Sequence, residues 1–277
     1  MTDNNAMRLV RDTLIIPGLS RTYRILHISD SHMSPDSPLD SEEMREKAAK
    51  HREVWMAHGN GLTQDANFDY FVEVAKNERV DLSVLCGDMT DFPSVGTADE
   101  GAKRYARLGN YLYVPGNHEQ GIRFPSYYEA ATRGNPALQV VESDELVFVG
   151  VDNGCHTVSD EVMDALEALV HGDKPVILVH HIPVDCDTLH PAAVDYWEDV
   201  TYFLFGLSGN GENIDRYNRL VRQDRTQLRA VFAGHLHFEH VDRFENGVVQ
   251  YVAAPCLAGY GQLIEIHGST ESPLTKG

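Results

Sequence analysis

The sequence predicts an α/β fold in which a second sheet packs on a largely parallel first sheet. Short apolar runs typical of buried strands alternate with segments whose apolar residues recur at helical spacing. The last third of the chain is richer in strand-like runs, which indicates the second sheet. The 277 residues contain no internal repeat and no low-complexity linker, so we expect a single domain over residues 1–277.

The predicted strands are short apolar runs bounded by polar, glycine or proline residues. They lie at 23–29, 81–86, 111–114, 146–151, 176–179, 230–233, 248–253 and 262–266. Helices are predicted between several of these runs. Asp40 followed by Glu43 indicates a capping box that opens a first helix. Residues 68–78 carry helical periodicity, and Ser159 is predicted to cap a third helix.

Two long segments, at about 33–67 and 184–227, have no clear place in this alternation, and we predict that they are insertions at the rim of the site. Each follows a cluster of polar residues at the end of a predicted strand. Long loops in compact domains are more often functional than idle. Their aromatic side chains could either stack on a base or sugar or pack beneath the loops, and they are Trp55, Tyr196, Trp197 and Tyr202.

The chain is strongly acidic, with 23 Lys and Arg against 42 Asp and Glu and a formal net charge of −19. Such a surface repels phosphate backbones and anionic membranes, so nucleic acid is not expected as a partner. No run approaches the roughly 18 apolar residues that a membrane-spanning helix needs. The four cysteines form no CxxC pair and no regular framework. Together these features predict a cytoplasmic protein with no membrane partner.

Five polar clusters follow predicted strands. In order they are Asp30-Ser31-His32, Gly87-Asp88-Met89-Thr90-Asp91, Gly116-Asn117-His118-Glu119, His180-His181-Ile182-Pro183 and Gly234-His235-Leu236-His237. In open α/β sheets, ligands bind beyond the carboxyl ends of the strands, so clusters that are distant in sequence can meet there. One such cluster arises often by chance, but five chemically compatible clusters in order indicate a site.

The clusters offer carboxylate, amide and imidazole donors and no thiolate. This set suits Mn, Fe, Zn or Co rather than a structural zinc finger. In Asp30-x-His32 and His235-x-His237, alternate residues can point the same way when the backbone is extended. The donors exceed what one ion needs. The sequence therefore predicts two metal ions that share a bridging carboxylate, with Mn, Fe or Zn as the candidates.

The ordered motifs resemble those of the calcineurin-like metallophosphoesterases, and most closely the cyclic-nucleotide phosphodiesterase-like group. They read Asp-x-His, Gly-Asp-x-x-Asp, Gly-Asn-His-Glu, His-His-x-Pro and Gly-His-x-His between Asp30 and His237. The resemblance implies a four-layer α-β-β-α sandwich of two mixed sheets with flanking helices and with the metals at the top of the sheets. It also implies a phosphoester hydrolase that acts through a dinuclear metal centre and a bridging hydroxide.

The resemblance also implies a set of metal ligands. They are Asp30, His32 and His237 for the first ion, Asn117, His235 and a histidine of the fourth cluster for the second, and Asp88 as the bridge. The fourth cluster can be aligned with either His180 or His181 as the ligand. We favour His180, because it continues directly from the buried strand.

His118 and Asp91 are the catalytic pair that the resemblance implies. His118 would face the substrate and stabilise the transition state or protonate the leaving oxygen, while Asp91 would orient its imidazole. A simple turn or helix cap is the alternative role for Asp91. Glu119 receives no catalytic role beyond a local hydrogen bond. Of the other histidines, His27 is expected to pack inside its strand and His51 to lie at the surface.

The expected substrate is a small or nucleotide-like phosphodiester. Asp91 stands where the purple acid phosphatases carry a Tyr ligand, and Phe92-Pro93 stands where the protein phosphatases carry Arg-Gly, so both branches are disfavoured. The alternatives are a phosphomonoesterase acting on a small metabolite and a metal-binding scaffold on the same fold. The chain has no Gly-x-Ser-x-Gly motif, which argues against a serine hydrolase.

Overall fold

The computed structural model describes residues 7–132, 134–198, 200–207 and 211–268. Both ends of the predicted domain, and residues 199 and 208–210 of the second predicted insertion, lie outside the described residues. The strands are β1 (Arg8–Ile15), β2 (Tyr23–Ile28), β3 (Leu82–Cys86), β4 (Tyr111–Val114), β5 (Leu138–Glu142), β6 (Val147–Val151), β7 (Val176–Val179), β8 (Leu228–Ala233), β9 (His240–Arg243), β10 (Val249–Val252) and β11 (Tyr260–His267). The α-helices are α1 (Glu42–His58), α2 (Gln64–Asn77), α3 (Val95–Tyr105), α4 (Pro125–Tyr128), α5 (Asp160–Val170), α6 (Leu189–Trp197) and α7 (Ile214–Val221).

Two mixed sheets form the centre of the molecule. The first has the order β1-β11-β2-β3-β4, in which β2, β3 and β4 are parallel and β11 is antiparallel to β2. The second has the order β5-β6-β7-β8-β10-β9, with β6, β7, β8 and β10 parallel and the edge strands β5 and β9 antiparallel to their neighbours. All the predicted strands are present. The sequence pattern does not predict β1, β5 and β9, which all lie at sheet edges.

Apolar cores join these sheets to each other and to the helices outside them. Between the sheets, Val84 and Val114 of the first sheet pack with Phe148, Val179 and Phe232 of the second. Helices α2 and α3 cover the outer face of the first sheet, and α5 and α7 cover that of the second. Full burial of each such side chain contributes about 1.5–3 kcal/mol. The layers therefore follow the order helix, sheet, sheet, helix, as the sequence predicts.

The first insertion forms α1 and the start of α2, and its N-terminal cap differs from the prediction. Ser41 Oγ, rather than Asp40, accepts the hydrogen bond from Met44 N (3.3 Å). The Asp40 carboxylate instead accepts hydrogen bonds from Ser94 Oγ (2.8 Å) and Gly96 N (3.0 Å) at the start of α3. The predicted capping box is therefore wrong, because Asp40 stabilises a helix that is distant in sequence.

The second insertion contributes α6 and α7. Leu189 and Ala193 of α6 pack against Leu236 in one apolar cluster. This contact brings the end of α6 to the loop after β8, where the fifth polar cluster begins. None of the described helices is long and apolar enough to cross a membrane.

Candidate metal centre

The first two polar clusters are held side by side by backbone hydrogen bonds. Asp30 N donates to Gly87 O (3.0 Å), and His32 N donates to Asp88 O (2.9 Å). These bonds continue the parallel pairing of β2 and β3 beyond the ends of both strands. Because parallel strands present their carboxyl ends at one edge, the side chains of both clusters meet there.

Five of the candidate ligands have backbone φ angles in the left-handed region. The values are 53° for Asp30, 45° for His32, 50° for Asp88, 73° for His235 and 57° for His237. Residues other than glycine seldom adopt this conformation, which costs of order 1–3 kcal/mol each and is concentrated at functional sites. The strained turns aim these side chains away from their strands and toward one another.

The first group of donors consists of Asp30, His32 and His237, whose ligand atoms lie within 4.8 Å of one another. His237 Nε2 is 3.4 Å from Asp30 Oδ1 and 3.2 Å from His32 Nε2. Asp30 Oδ1 is buried and accepts no hydrogen bond. A buried carboxylate oxygen that lacks a hydrogen bond is costly. This oxygen is therefore a ready ligand for a cation.

The second group consists of Asp88, His181 and His235, with Asn117 beside them. His181 Nε2 lies 2.9 Å from Asn117 Oδ1, 3.2 Å from Asp88 Oδ2 and 3.1 Å from His235 Nδ1. The two groups adjoin, because Asp88 Oδ2 is also 3.9 Å from His32 Nε2. The Asp88 carboxylate thus lies between the groups, the place that the family resemblance implies for a bridging ligand.

His180, the histidine favoured from the sequence, lies outside this arrangement, and His181 lies within it. The His180 side chain is buried on the outer face of the second sheet, where Nδ1 hydrogen-bonds to Tyr217 Oη. Successive side chains of an extended backbone point to opposite faces. Ile177 and Val179 face the other sheet, so His181 shares their direction and His180 does not.

Outer hydrogen bonds fix the orientation of the ligand imidazoles. His181 Nδ1 donates to Cys86 O (2.7 Å), and His32 Nδ1 donates to Asp91 Oδ1 (3.1 Å). With Nδ1 protonated in this way, Nε2 of each ring carries its lone pair toward the cluster. Such outer partners raise the basicity of metal ligands and hold their geometry.

His118 and Asp91 lie together beside the first group. His118 Nδ1 is 2.8 Å from Asp91 Oδ1 and 2.9 Å from Asp91 O, while His118 N donates to Asp88 Oδ1 (2.9 Å). About a third of the His118 side chain is exposed, so its ring faces solvent beside the donors. The same Asp91 carboxylate contacts His32 and His51. His51 was expected to lie at the surface. Its side chain is partly exposed, but its Nδ1 also hydrogen-bonds to Asp91 Oδ2.

Glu119 joins the second and third clusters, a role that the sequence motif did not reveal. Its buried carboxylate accepts hydrogen bonds from the backbone N–H groups of Asp88 (2.9 Å), Thr90 (2.7 Å) and Gly116 (2.6 Å). Burial and the neighbouring Asp88 charge raise the pKa of Glu119 to about 7. Glu119 therefore fixes the loop of the bridging carboxylate relative to the loop of Asn117.

Asn153, which follows β6, is a further positioning residue that sequence reasoning missed. Its Oδ1 accepts from His181 N (3.0 Å) and Ile182 N (2.9 Å), and its Nδ2 donates to Ile182 O (2.7 Å). All of these groups are buried. Gly154 adjoins the third cluster so closely that a Cβ there would lie 2.6 Å from Gly116 C. The end of β6 thus supports both His181 and the Asn117 loop.

The charges of the donors suit a cation. Burial opposes ionisation of Asp30 and Asp88, but the surrounding imidazoles outweigh it, which lowers the pKa of Asp30 to about 2 and holds that of Asp88 well below its usual range. Burial lowers the pKa of His235 to about 3. Burial also opposes the charged form of His118, but Asp88 and Asp91 raise its pKa to about 10. At neutral pH the carboxylates are ionised and His235 is neutral, as metal binding requires. Burial opposes the charged form of His181, but Asp88 raises its pKa to about 9, so a cation that binds Nε2 would displace a proton.

The residues fit the metal ions that their donor chemistry implies. Oxygen and imidazole donors from five strand ends adjoin within the described structure, one buried carboxylate oxygen lacks a hydrogen bond, and a second carboxylate lies between two groups. Mn, Fe and Zn accept such a mixed set. The arrangement can hold cations and present a phosphoryl group to them with an imidazole alongside.

Comparisons with known proteins agree with the fold and the motifs. A family model described as calcineurin-like phosphoesterase matches residues 23–239. A dimetal phosphatase from Danio rerio is similar in structure, with a TM-score of 0.53, 16% identity and coverage of 85% of this chain and 88% of its own. The TT1561 structure from Thermus thermophilus has a TM-score of 0.51 and 12% identity, covering 86% of this chain and 91% of its own. The predicted fold is thereby confirmed. A search of curated proteins finds no match.

Proposed function

The chain belongs to the calcineurin-like phosphoesterase family, and this membership supports metal-dependent hydrolysis of phosphoesters. We propose that the chain hydrolyses a small phosphodiester at a dinuclear metal centre. The proposed ligands are Asp30, His32 and His237 for one ion, Asn117, His181 and His235 for the other, and Asp88 between them. The observation that carries the proposal is the position of Asp88, whose carboxylate adjoins both groups of donors.

Metal ions at such a site would polarise the phosphoryl oxygens and lower the pKa of a water molecule. In the hydrolysis itself, water adds across one P–O bond, so that phosphorus gains the hydroxyl and the departing oxygen gains a proton. His118 is the proposed donor of that proton, and the proton that the attacking water releases restores it. Asp91 holds Nδ1 of the ring, which leaves Nε2 directed away from Asp91 for the departing oxygen.

A diester is proposed over a monoester because of the charges around the site. Among the described residues, the ion-pair partners of Asp30, Asp88 and Asp91 are all histidines, with no Lys or Arg. A phosphomonoester dianion brings one more negative charge than a diester, to a chain whose net charge is −19. Without a Lys or Arg among these partners to bind the second charge of a monoester, the residues around the proposed ions favour the monoanionic diester.

Hydrolysis of two chromogenic esters tests this function. Metal-free protein reloaded with Mn²⁺ would be assayed with bis(4-nitrophenyl) phosphate and 4-nitrophenyl phosphate, as wild type and as Asp88→Asn and His118→Ala. His190→Ala is the matched control, because His190 pairs with Asp185 rather than with the donors. We expect metal-dependent turnover that favours the diester, falls by about 10²-fold or more in both site variants and is unchanged in the control.

Other outcomes of this assay select the alternatives. Faster cleavage of the monoester would make the protein a phosphomonoesterase. Metal binding without turnover of either ester, after reloading with Mn²⁺, Fe²⁺ or Zn²⁺, would favour the metal-binding scaffold.

A further inference from the structure

A cavity of about 780 Å³ opens directly beside the donors. His237 belongs both to the first group of donors and to the wall of this cavity. The remaining wall comes mainly from the two insertions and from the segment before β11. The aromatic cleft, as we call it, is defined by Trp55, Tyr196, Trp197, His237 and Phe238. Its volume is that of a site for a drug-sized small molecule.

The two tryptophans of the cleft are held rigidly next to the donors. The Trp55 ring stacks on the ring of His32 at 4.1 Å between centroids, and both indoles lie 6.0 Å from the His237 ring. Trp197 stacks on Phe203 at 4.5 Å, and its Nε1 donates to Leu236 O (2.9 Å). These contacts fix both indoles before any ligand binds, so little side-chain entropy is lost on binding.

The cleft leaves apolar surface in contact with water. Tyr196 is 55% exposed and Val54 is 43% exposed, although both line the cavity. Tyr196 packs on Phe238 at 5.1 Å, which extends the aromatic wall outward. Covering such surface with an apolar group is favourable by about 25 cal/mol for each Å² removed from water.

The charge of the lining differs from that of the whole chain. Among the described residues that line the cleft, Arg8 and Glu239 are the only Lys, Arg, Asp or Glu, and their formal charges cancel. The chain as a whole has a formal net charge of −19. The cleft therefore suits an uncharged group, while the donors beside it suit the charged phosphoryl group.

From these contacts we propose that the aromatic cleft binds one organic substituent of the phosphodiester, and that this substituent is a flat, uncharged aromatic group. The inference rests on the proposed function, because the donors at His237 define where the phosphoryl group lies. The aromatic ring enters between the tryptophans and Tyr196, and the ester linkage keeps the phosphorus at the donors.

Competitive inhibition by a matched pair of phosphonate monoesters, in which a P–C bond that resists hydrolysis holds the variable group, tests the cleft. Methyl 4-nitrobenzylphosphonate and methyl methylphosphonate carry the same charge and differ only in the aromatic group. With bis(4-nitrophenyl) phosphate as substrate, we expect the nitrobenzyl compound to inhibit wild type about tenfold more strongly. This preference should largely disappear in Tyr196→Ala and Trp197→Ala. It should persist in Tyr70→Ala, which removes an exposed aromatic side chain of α2 that does not line the cleft.

Tryptophan fluorescence gives a readout that does not depend on catalysis. The chain has two tryptophans, and both line the cleft, so the nitrobenzyl group should quench their emission saturably with or without Mn²⁺. Quenching with no turnover would overturn the proposed function but support the cleft. Turnover with equal inhibition by both phosphonates, or with a preference unchanged in both cleft variants, would overturn the cleft and leave the function standing.

Discussion

Substituting each of the two adjacent histidines of the fourth cluster should affect a different property. Loss of His181 should weaken metal binding, and loss of His180 should lower the free energy of unfolding. His181 Nε2 lies 2.9–3.2 Å from three other donor atoms of the second group. Loss of an outer-sphere partner typically costs 10–100-fold in metal affinity, so loss of a ligand should cost at least about 100-fold, or about 2.8 kcal/mol. His181→Ala should therefore weaken binding at one of the two metal sites by at least that factor.

His180→Phe is the matched change, because it keeps an aromatic ring but removes the hydrogen bond with Tyr217. The Tyr217 hydroxyl is buried and would be left without this partner, which costs about 1–3 kcal/mol. We expect the free energy of unfolding to fall by that amount while the metal affinity stays unchanged.

A competition titration with a fluorescent Mn²⁺ chelator measures both metal sites, and urea unfolding of the metal-free proteins measures stability. The assignment of His181 would be refuted by a His181→Ala protein that binds two ions as tightly as wild type. It would equally be refuted if His180→Phe lost one site while remaining folded.

Three further changes test the support around the site. Asn153→Ala leaves three buried backbone groups without their partner, so urea unfolding should show a loss of at least about 3 kcal/mol; a loss below about 1 kcal/mol would contradict its positioning role. His27 has its pKa lowered to about 4 by burial, against 6.5 for the unfolded chain. The unfolded state therefore binds the proton first as pH falls, and stability that is present above pH 6.5 is lost toward pH 4. Over this range His27→Asn should remove about 3 kcal/mol of the change in unfolding free energy with pH. If the unfolding free energies of the two proteins fell in parallel with pH, the lowered pKa of His27 would be refuted. Gly154→Ala should destabilise by about 1–3 kcal/mol and slow hydrolysis, because its Cβ would meet the backbone of Gly116; unaltered kinetics would show that the Asn117 loop tolerates the shift.

Inner strands such as Val147–Val151 and Val176–Val179 were predictable because they are apolar runs that are buried on both faces. The edge strands were not predictable in this way. The residues of β1 and β9 include charged ones and are mostly half-buried or exposed, and β5 has one buried residue, Gln139. Their pairing comes from register with a neighbouring strand, which a local apolar run does not encode.

The candidate ligands followed from the resemblance of the ordered motifs to a known family, and the structure brings six of the seven together. They are Asp30, His32, Asp88, Asn117, His235 and His237. The exception is His180, which was favoured because it directly follows the buried strand. That criterion does not indicate to which face of the sheet a side chain points. The alternation of Ile177 and Val179 toward the other sheet contains that information.

The supporting residues could not be found from sequence, because their partners are distant along the chain. Glu119 bonds to the backbone of residues 88 and 90, and Asn153 to that of 181 and 182. Asp91 was expected to orient His118, and it also contacts His51 from α1. Such contacts depend on the packing of loops that only the complete fold brings together.

The number of metal ions bound per chain tests the proposed centre most directly. Equilibrium dialysis of metal-free protein against Mn²⁺, followed by metal analysis, should give two ions per chain for wild type. Asp88→Asn should bind at least one of them much more weakly, because the Asp88 carboxylate adjoins both groups of donors. One ion or none in wild type, or two tightly bound ions in Asp88→Asn, would contradict a dinuclear centre bridged by Asp88.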